Sequence, residues 1–296
     1  MSQACLAFKW IAAVMLLWGA DEAAPQTPAA SGTQTYTLAY KFTDQQLLHY
    51  TQHQNSEIES SYDGMAEKVT NRSDIKKHLR ITKVLPDGSA ELELVIDSVV
   101  MHAQVGDEAP EDFDSNSKEE VDRPDFKKIQ ENIGKPQGLL HFSPTGKLLS
   151  VMKGSNRPDD YQTLLISLPG KPVAIGETWK EEFKTRVTVD VKLSEEVSLK
   201  RSYTLDKVDG GIAHIRTSTY VLTPSRSAGV EVQLSQKKVH GTILFDMERG
   251  VILSRDLKAE GEVANAFGAK TKFVARMTNT EKLVEAPVVT PTAGQK

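Results

Sequence analysis

Histidine is the residue type whose spacing first suggests chemistry in this sequence. His49 and His53 lie four residues apart, a spacing that lets two imidazoles on one face of a helix share a metal ion. The surrounding segment, LLHYTQHQ, is typical of a strand instead. Because a strand rises about 3.3 Å per residue, we expect the two rings to lie roughly 13 Å apart. The sequence therefore predicts no metal site and no cofactor.

An acidic stretch between Asp107 and Asp125 is the second candidate, since it carries nine carboxylates. Residues 112–116 (DFDSN) begin like a calcium-binding loop. The pattern then fails, because Ser117 replaces the glycine of the sharp turn and Arg123 stands where a bidentate glutamate is needed. We predict a solvated, mobile loop rather than a calcium site.

Motifs for nucleophilic or zinc-dependent hydrolysis do not occur in the sequence. There is no Gly-x-Ser-x-Gly elbow and no His-Glu-x-x-His. The single cysteine, Cys5, lies in the N-terminal segment, so a processed chain would contain no thiol. Carboxylates are plentiful on the predicted strands, which leaves open a hydrolase that uses an unrecognised carboxylate pair. The prediction is a non-catalytic protein, with that hydrolase as an alternative.

The first residues resemble a signal peptide. Lys9 precedes an apolar run, IAAVMLLW, that is too short to span a bilayer, and small residues follow it. We predict a signal peptide over residues 1–24, a linker over 25–34 and a flexible tail over 286–296. The protein is expected to be exported, to the periplasm or outside the cell; the alternative is an uncleaved N-terminal membrane anchor.

The net charge of −4 and the pI near 6.0 set limits on the partners. No basic run exceeds two residues, so we expect no nucleic-acid partner. The sequence identifies no specific partner.

Residues 35–285 are predicted to form an all-β domain with a few short helices. Apolar and polar residues alternate with period two in 89–96, 187–193 and 197–205, although Arg201 interrupts the apolar phase of the last. Glycine-containing turns separate the runs. We expect a curved antiparallel sheet or half-barrel.

The chain also repeats itself weakly. Residues 81–96 parallel 203–218, and residues 139–150 parallel 243–254. We interpret this as two related lobes, 35–150 and 170–285, that share one continuous sheet.

Two segments between the lobes have helical apolar spacing. Residues 124–133 place Phe126, Ile129 and Ile133 on one stripe behind a proline suited to the first helical turn. In residues 158–168, Leu164 and Leu168 lie on a similar apolar stripe. We expect both segments to form helices that pack on the concave face of the sheet.

The stretch 168–179 (LPGKPVAIGETW) carries a resemblance to other proteins. A Leu-Pro, a Pro-Val and a Gly-x-x-Trp before a long strand resemble a group of uncharacterised bacterial exported proteins. Residues 40–42 (YKF), 142–146 and 245–250 are further counterparts. The group has no assigned activity. The expected architecture is more remotely similar to the half-open β-barrels of lipoprotein carriers, a likeness of fold that implies no function by itself.

Three functions are compatible with this sequence. The first is a structural or interaction module of the cell envelope, for which a packed interior would be expected. The second is a carrier of a lipid-like apolar ligand, held between sheet and helices. The third is the hydrolase. For the carrier, the predicted ligand-binding residues are Phe126, Ile129, Ile133, Leu164, Leu168 and Trp179, and Trp179 is expected to be either a core anchor or a ligand-stacking side chain.

Overall fold

The computed structural model describes most of the predicted β domain. The described residues are 34–117, 123–154, 161, 163–190, 193–224, 227–266 and 268–284. The predicted signal peptide, the tail and all of the linker except Gln34 lie outside them, so these assignments stay predictions. In the described part of the chain, no helix is both long and apolar enough to cross a membrane.

Within these residues the chain forms mostly strands, with two short helices. The elements are β1 (Thr35–Tyr36), β2 (Leu47–Tyr62), β3 (Met65–Val84), β4 (Ala90–Val105), β5 (Glu111–Asp114), α1 (Pro124–Asn132), β6 (Pro136–Phe142), β7 (Leu148–Gly154), β8 (Val173–Ala174), β9 (Thr178–Asp190), β10 (Leu193–Asp209), β11 (Ile212–Val221), α2 (Ala228–Ser235), β12 (Val239–Asp246), β13 (Val251–Ala264) and β14 (Thr271–Val284).

One curved antiparallel sheet contains twelve of these strands, which confirms the predicted fold class. Its order is β7-β6-β4-β3-β2-β14-β13-β12-β11-β10-β9, and β5 pairs with β4 beside this path. The two remaining strands, β1 and β8, pair with each other. Strands from the first and last parts of the sequence meet at the centre, where β2 pairs with β14 along its length.

The period-two alternation gives the sheet an inner and an outer face. In β3, Leu79 and Ile81 are buried on the inner face, while His78 and Arg80 lie on the outer face. Side chains from distant strands meet on the inner face and form the main core, which includes Leu92, Phe142, Tyr203, Leu205 and Phe245.

One predicted strand, residues 187–193, is wrong as a single element. The strand β9 ends at Asp190, and Leu193 already belongs to β10 and pairs with Asp190 in the antiparallel direction. Alternation reports which face a side chain occupies, but it does not report chain direction. The apolar phase therefore continued across a hairpin that no glycine or proline marks.

The predicted helix at 124–133 is confirmed as α1, with Pro124 in its first turn. The helix predicted at 158–168 is wrong for the residues that are described there, which form turns and irregular chain. The reason is that side chains and loops bind the backbone of this segment. The hydroxyl of Tyr40 accepts from the Ile166 N–H at 2.9 Å, and the Leu168 N–H donates to Thr145 O at 2.8 Å.

The second helix of the structure is α2, which the sequence did not predict. Its residues Val230, Val232 and Leu234 alternate as in a strand, which hid the helix. The side chain of Ser227 accepts a hydrogen bond from the Val230 N–H at 3.3 Å and caps the first turn. A Cβ on Gly261 of β13 would lie 2.2 Å from Ser235 Cβ, so this glycine lets α2 pack directly on the sheet.

The paired segments that suggested a duplication occupy comparable places in the sheet. Strands β3, β4, β6 and β7 stand next to one another in one half, and β10, β11, β12 and β13 do so in the other. Both sets run across the sheet in the same direction. The two lobes are thus continuous through one sheet, and their common origin stays a prediction.

Gly146 is expected to be essential for packing residues 163–168 onto the core. Its φ is +76°, and an added Cβ would lie 2.2 Å from Ile166 O and 2.6 Å from the Tyr40 ring. At Gly176, φ is +85° and no heavy atom lies near the added Cβ. Gly176→Ala should cost about 1–2 kcal/mol of unfolding free energy from the backbone alone. Gly146→Ala should cost roughly 1–3 kcal/mol more because of overpacking.

Urea unfolding of the two variants and the wild type measures this difference. Equal losses at both positions would contradict the close approach of residues 163–168 to Gly146.

Candidate functional site

A cavity of about 270 Å³ lies on the inner face of the sheet, under residues 163–168, which we name the cover segment. Its walls come from β2, β3, β4 and β10 to β14, together with the cover segment. The lining residues are Gln52, Lys77, Leu94, Thr163, Leu164, Ile166, Arg201, Tyr203, Thr217, Val239, Ile243, Arg255, Leu257, Met277, Asn279 and Glu281.

A buried ion group forms one side of this cavity. The carboxylate of Glu281 lies 2.5 Å from Lys77 Nζ and 3.4 Å from Arg255 Nε. The three side chains are only 9%, 14% and 12% exposed, respectively. Burial alone would raise the pKa of Glu281, but the charges of Arg255 and Lys77 outweigh it and hold that pKa below its ordinary value. Glu281 is therefore an ionised carboxylate at neutral pH.

Arg255 connects this ion group to the cover segment. Its two terminal nitrogens donate to the backbone carbonyl oxygens of Thr163, at 2.7 Å, and Leu164. Further along the segment, Trp179 Nε1 donates to Ser167 O at 2.7 Å. Side chains of the sheet thus satisfy backbone groups that a helix would have satisfied internally.

A second ion pair lies in the same region of the inner face. Arg201 Nη1 lies 3.2 Å from Glu181 Oε1, and the hydroxyl of Tyr203 donates to the same oxygen at 2.8 Å. Burial raises the pKa of Tyr203 well above its ordinary value, so the phenol stays protonated and remains a donor. The Arg201 guanidinium also donates to Thr219 Oγ1 at 3.2 Å.

Polar atoms without hydrogen-bond partners concentrate in this cavity. In the described part of the chain, the buried side-chain atoms without such a partner are Thr217 Oγ1, Asn279 Oδ1 and Arg255 Nε, of which the last is held by its ion contact with Glu281 and not by a hydrogen bond. All three belong to lining residues. Leaving a buried polar atom unpaired costs about 1–3 kcal/mol, so this cluster is suited to the polar group of a ligand or to water.

The six predicted ligand-binding residues fall into two separate clusters. Phe126 of α1 is buried against Phe113, with ring centroids 4.7 Å apart, and Ile129 and Ile133 pack beside it. This α1 cluster is distinct from the main core.

The other three predicted residues lie at or near the cavity. Leu168 is buried in the main core, where Trp179 stacks on Tyr203 with ring centroids 5.6 Å apart. Leu164 is the member of the predicted set that lines the cavity.

Sequence reasoning missed the charged residues of the cavity, although a signal existed. Lys77 lies in phase with Leu79 and Ile81, and Arg255 lies in phase with Leu253 and Leu257. A charged residue in the apolar phase of a strand is on the buried face, where it must be paired or serve a ligand. Arg201 interrupts the apolar phase of β10 in the same way, and its partner Glu181 lies on the neighbouring strand β9.

Comparison with known families gives one match. Residues 158–252, about a third of the chain, match a family described as "Family of unknown function (DUF6263)". This region includes the cover segment, the stretch 168–179 and both Arg201 and Thr217. No curated protein matches the chain.

Two solved structures are similar to this chain at low identity. One, described as "Lipid-protein interactions in lipovitellin", is 12% identical and has a TM-score of 0.45. The match covers 86% of this chain but only 26% of the lipovitellin chain. The other, the Pseudomonas aeruginosa MucA/MucB complex, is 9% identical with a TM-score of 0.13 and covers 81% of this chain and 90% of that chain. With identities this low and TM-scores below 0.5, neither likeness indicates what this protein binds.

Glu281→Gln should strongly destabilise the fold at neutral pH, because it leaves Lys77 and Arg255 as uncompensated buried cations. The expected loss is about 3–5 kcal/mol of unfolding free energy. The matched control is Glu262→Gln, which removes the exposed pair with Lys272, with nitrogen and oxygen 3.0 Å apart. That change should cost at most about 1 kcal/mol.

The pH dependence of this loss has a definite sign. Since the pKa of Glu281 is lower in the folded state, its stabilisation is fully present above the ordinary glutamate value of 4.5 and disappears as the pH falls through the lowered pKa. Urea unfolding at successive pH values should show the wild type approaching the Glu281→Gln variant under acidic conditions. A constant difference across that range would argue against the ion group.

Proposed function

We propose that this protein is an exported, non-catalytic binding protein whose ligand is an anionic amphiphile with a single apolar chain. The observation that carries the proposal is the composition of the inner-face cavity. Apolar side chains and cationic side chains line the same space, together with Thr217 and Asn279, whose side-chain oxygens have no hydrogen-bond partner in the protein. The N-terminal sequence supports export.

The apolar part of the lining suits one hydrocarbon chain. Leu94, Leu164, Ile243, Leu257 and Met277 provide aliphatic or thioether surface from strands on both sides and from the cover segment. A volume of about 270 Å³ is close to the lower end, about 300 Å³, of ordinary small-molecule sites. A single chain of moderate length therefore fits better than a lipid with two or more chains.

The charged part of the lining favours an anion. Lys77, Arg201 and Arg255 line the cavity, whereas Glu281 is the one carboxylate among the lining residues. Glu181 neutralises Arg201, and Glu281 is shared between the other two cations. This leaves an excess of one positive charge, which a carboxylate, sulfate or phosphate headgroup would balance.

A purely structural module of the cell envelope is less well supported by this interior. Such a role needs no cavity, and apolar side chains could replace a buried ion group without loss of stability. The presence of charged residues where the strand pattern places apolar ones is better explained by a ligand.

Isothermal titration of the detergent-free full-length protein with decanoate and 1-decanol tests the proposal. The two ligands share an apolar chain and differ in headgroup charge. We expect decanoate to bind at least about tenfold more tightly, equivalent to about 1.4 kcal/mol, because its carboxylate meets the buried cations. Equal affinities would show that the cavity does not recognise the charge of the headgroup and would contradict an anionic ligand. If neither compound bound, the proposal as a whole would be contradicted.

Val239→Trp is designed to fill the cavity from its wall, and Val100→Trp is the matched control. Val239 lines the cavity, whereas Val100 is 41% exposed on β4 and does not. We expect Val239→Trp to weaken decanoate binding at least about tenfold and Val100→Trp to leave it unchanged. Circular dichroism establishes that both variants are folded. Wild-type affinity in a folded Val239→Trp variant would place the ligand elsewhere.

A further inference from the structure

Three potential metal ligands meet on the outer face of the sheet, away from the cavity. They are His49 on β2, His78 on β3 and Asp97 on β4. One ligand atom from each lies within 4.8 Å of those of the other two. His49 is exposed, whereas the side chains of His78 and Asp97 are 17% and 35% exposed. The group is therefore accessible from solvent and lies against the sheet.

Two features of strand pairing create this group. His49 and His78 are direct partners in the antiparallel register of β2 and β3. Between β3 and β4, Lys76 pairs with Ser98 and Lys77 with Ile96, which leaves Asp97 as the extra residue of a bulge. Bulges re-aim side chains and are common beside functional sites. Here the bulge directs the Asp97 carboxylate to His78.

The distances suit ligands of one ion. The ring centroids of His49 and His78 are 5.1 Å apart, and His78 Nδ1 lies 2.8 and 3.0 Å from the two Asp97 oxygens. Ligand atoms roughly 2.0–2.2 Å from a metal, at tetrahedral or octahedral angles, are themselves roughly 3–3.5 Å apart. The His78–Asp97 contact already has nearly this length, and a modest rotation of the exposed His49 would complete the set.

We propose that His49, His78 and Asp97 form a binding site for a divalent transition metal such as Zn²⁺. Two imidazole nitrogens and one carboxylate oxygen favour zinc and its neighbours over Mg²⁺ and Ca²⁺, which prefer sets of oxygen ligands. Three protein ligands leave a fourth position for water, the arrangement of an open zinc site. This proposal is independent of ligand binding on the inner face.

The same two strands offer a control for adventitious binding by exposed histidine. His53 contacts Asp74 across β2 and β3, on the outer face that also holds His49 and His78. The group of three ligands found in the described residues does not include His53. His49→Ala therefore removes one of three proposed ligands and preserves the His78–Asp97 contact. His53→Ala removes another exposed histidine, which contacts a carboxylate but belongs to no group of three ligands within the residues that the structure describes.

Isothermal titration of the chelator-treated, full-length protein with Zn²⁺ tests the proposal, with Co²⁺ visible absorption as a second readout. We expect one equivalent of Zn²⁺ to bind the wild type and the His53→Ala variant with the same affinity. His49→Ala should weaken binding by at least about tenfold and abolish the Co²⁺ absorption band. Circular dichroism should be identical for all three proteins, because both histidines are exposed.

Several outcomes would overturn the site. No uptake of Zn²⁺ by the wild type would mean that His78 and Asp97 form a hydrogen bond and nothing more. Unchanged affinity in His49→Ala, or an equal loss in His53→Ala, would show that the metal binds exposed histidines without this geometry.

Discussion

The arrangement of the inner face depends on one buried interaction, the ion group of Lys77, Arg255 and Glu281. It joins β3 to the consecutive strands β13 and β14, and Arg255 extends it to the carbonyl oxygens of the cover segment. Burying such a group carries a large desolvation cost, so removing Glu281 leaves two buried cations without a countercharge. The same group determines the proposed ligand, since its members line the cavity with one excess positive charge, beside Thr217 and Asn279 with their unpaired oxygen atoms.

The features that could be predicted from the sequence are those that neighbouring residues determine. Alternation in β4 and β10 identified strands and their buried faces, and Pro124 with the stripe of Phe126 identified α1. Prediction from neighbouring residues failed where the same alternation of apolar and polar residues is compatible with two different structures. Residues 187–193 alternate across a hairpin, and the residues of α2 alternate like a strand although Ser227 caps a helix.

The candidate sites could not be predicted because strand register creates them. His49 faces His78 instead of sharing an ion with His53, and only the pairing of β2 with β3 decides this. Glu281 meets Arg255 because β13 pairs with β14. The spacing of apolar residues in the cover segment predicts a helix. The segment does not form one because Tyr40, more than a hundred residues away, binds its backbone. An isolated charge in the apolar phase of a strand was the available local signal.

We propose that the inner face of this sheet holds a ligand. Native mass spectrometry of the protein, purified without detergent from the exported fraction of its host, tests it most directly. We expect a complex heavier than the polypeptide, which releases an anionic single-chain amphiphile on denaturation. A bare polypeptide mass that does not change after incubation with a lipid extract would contradict it and indicate an interior that serves the fold alone.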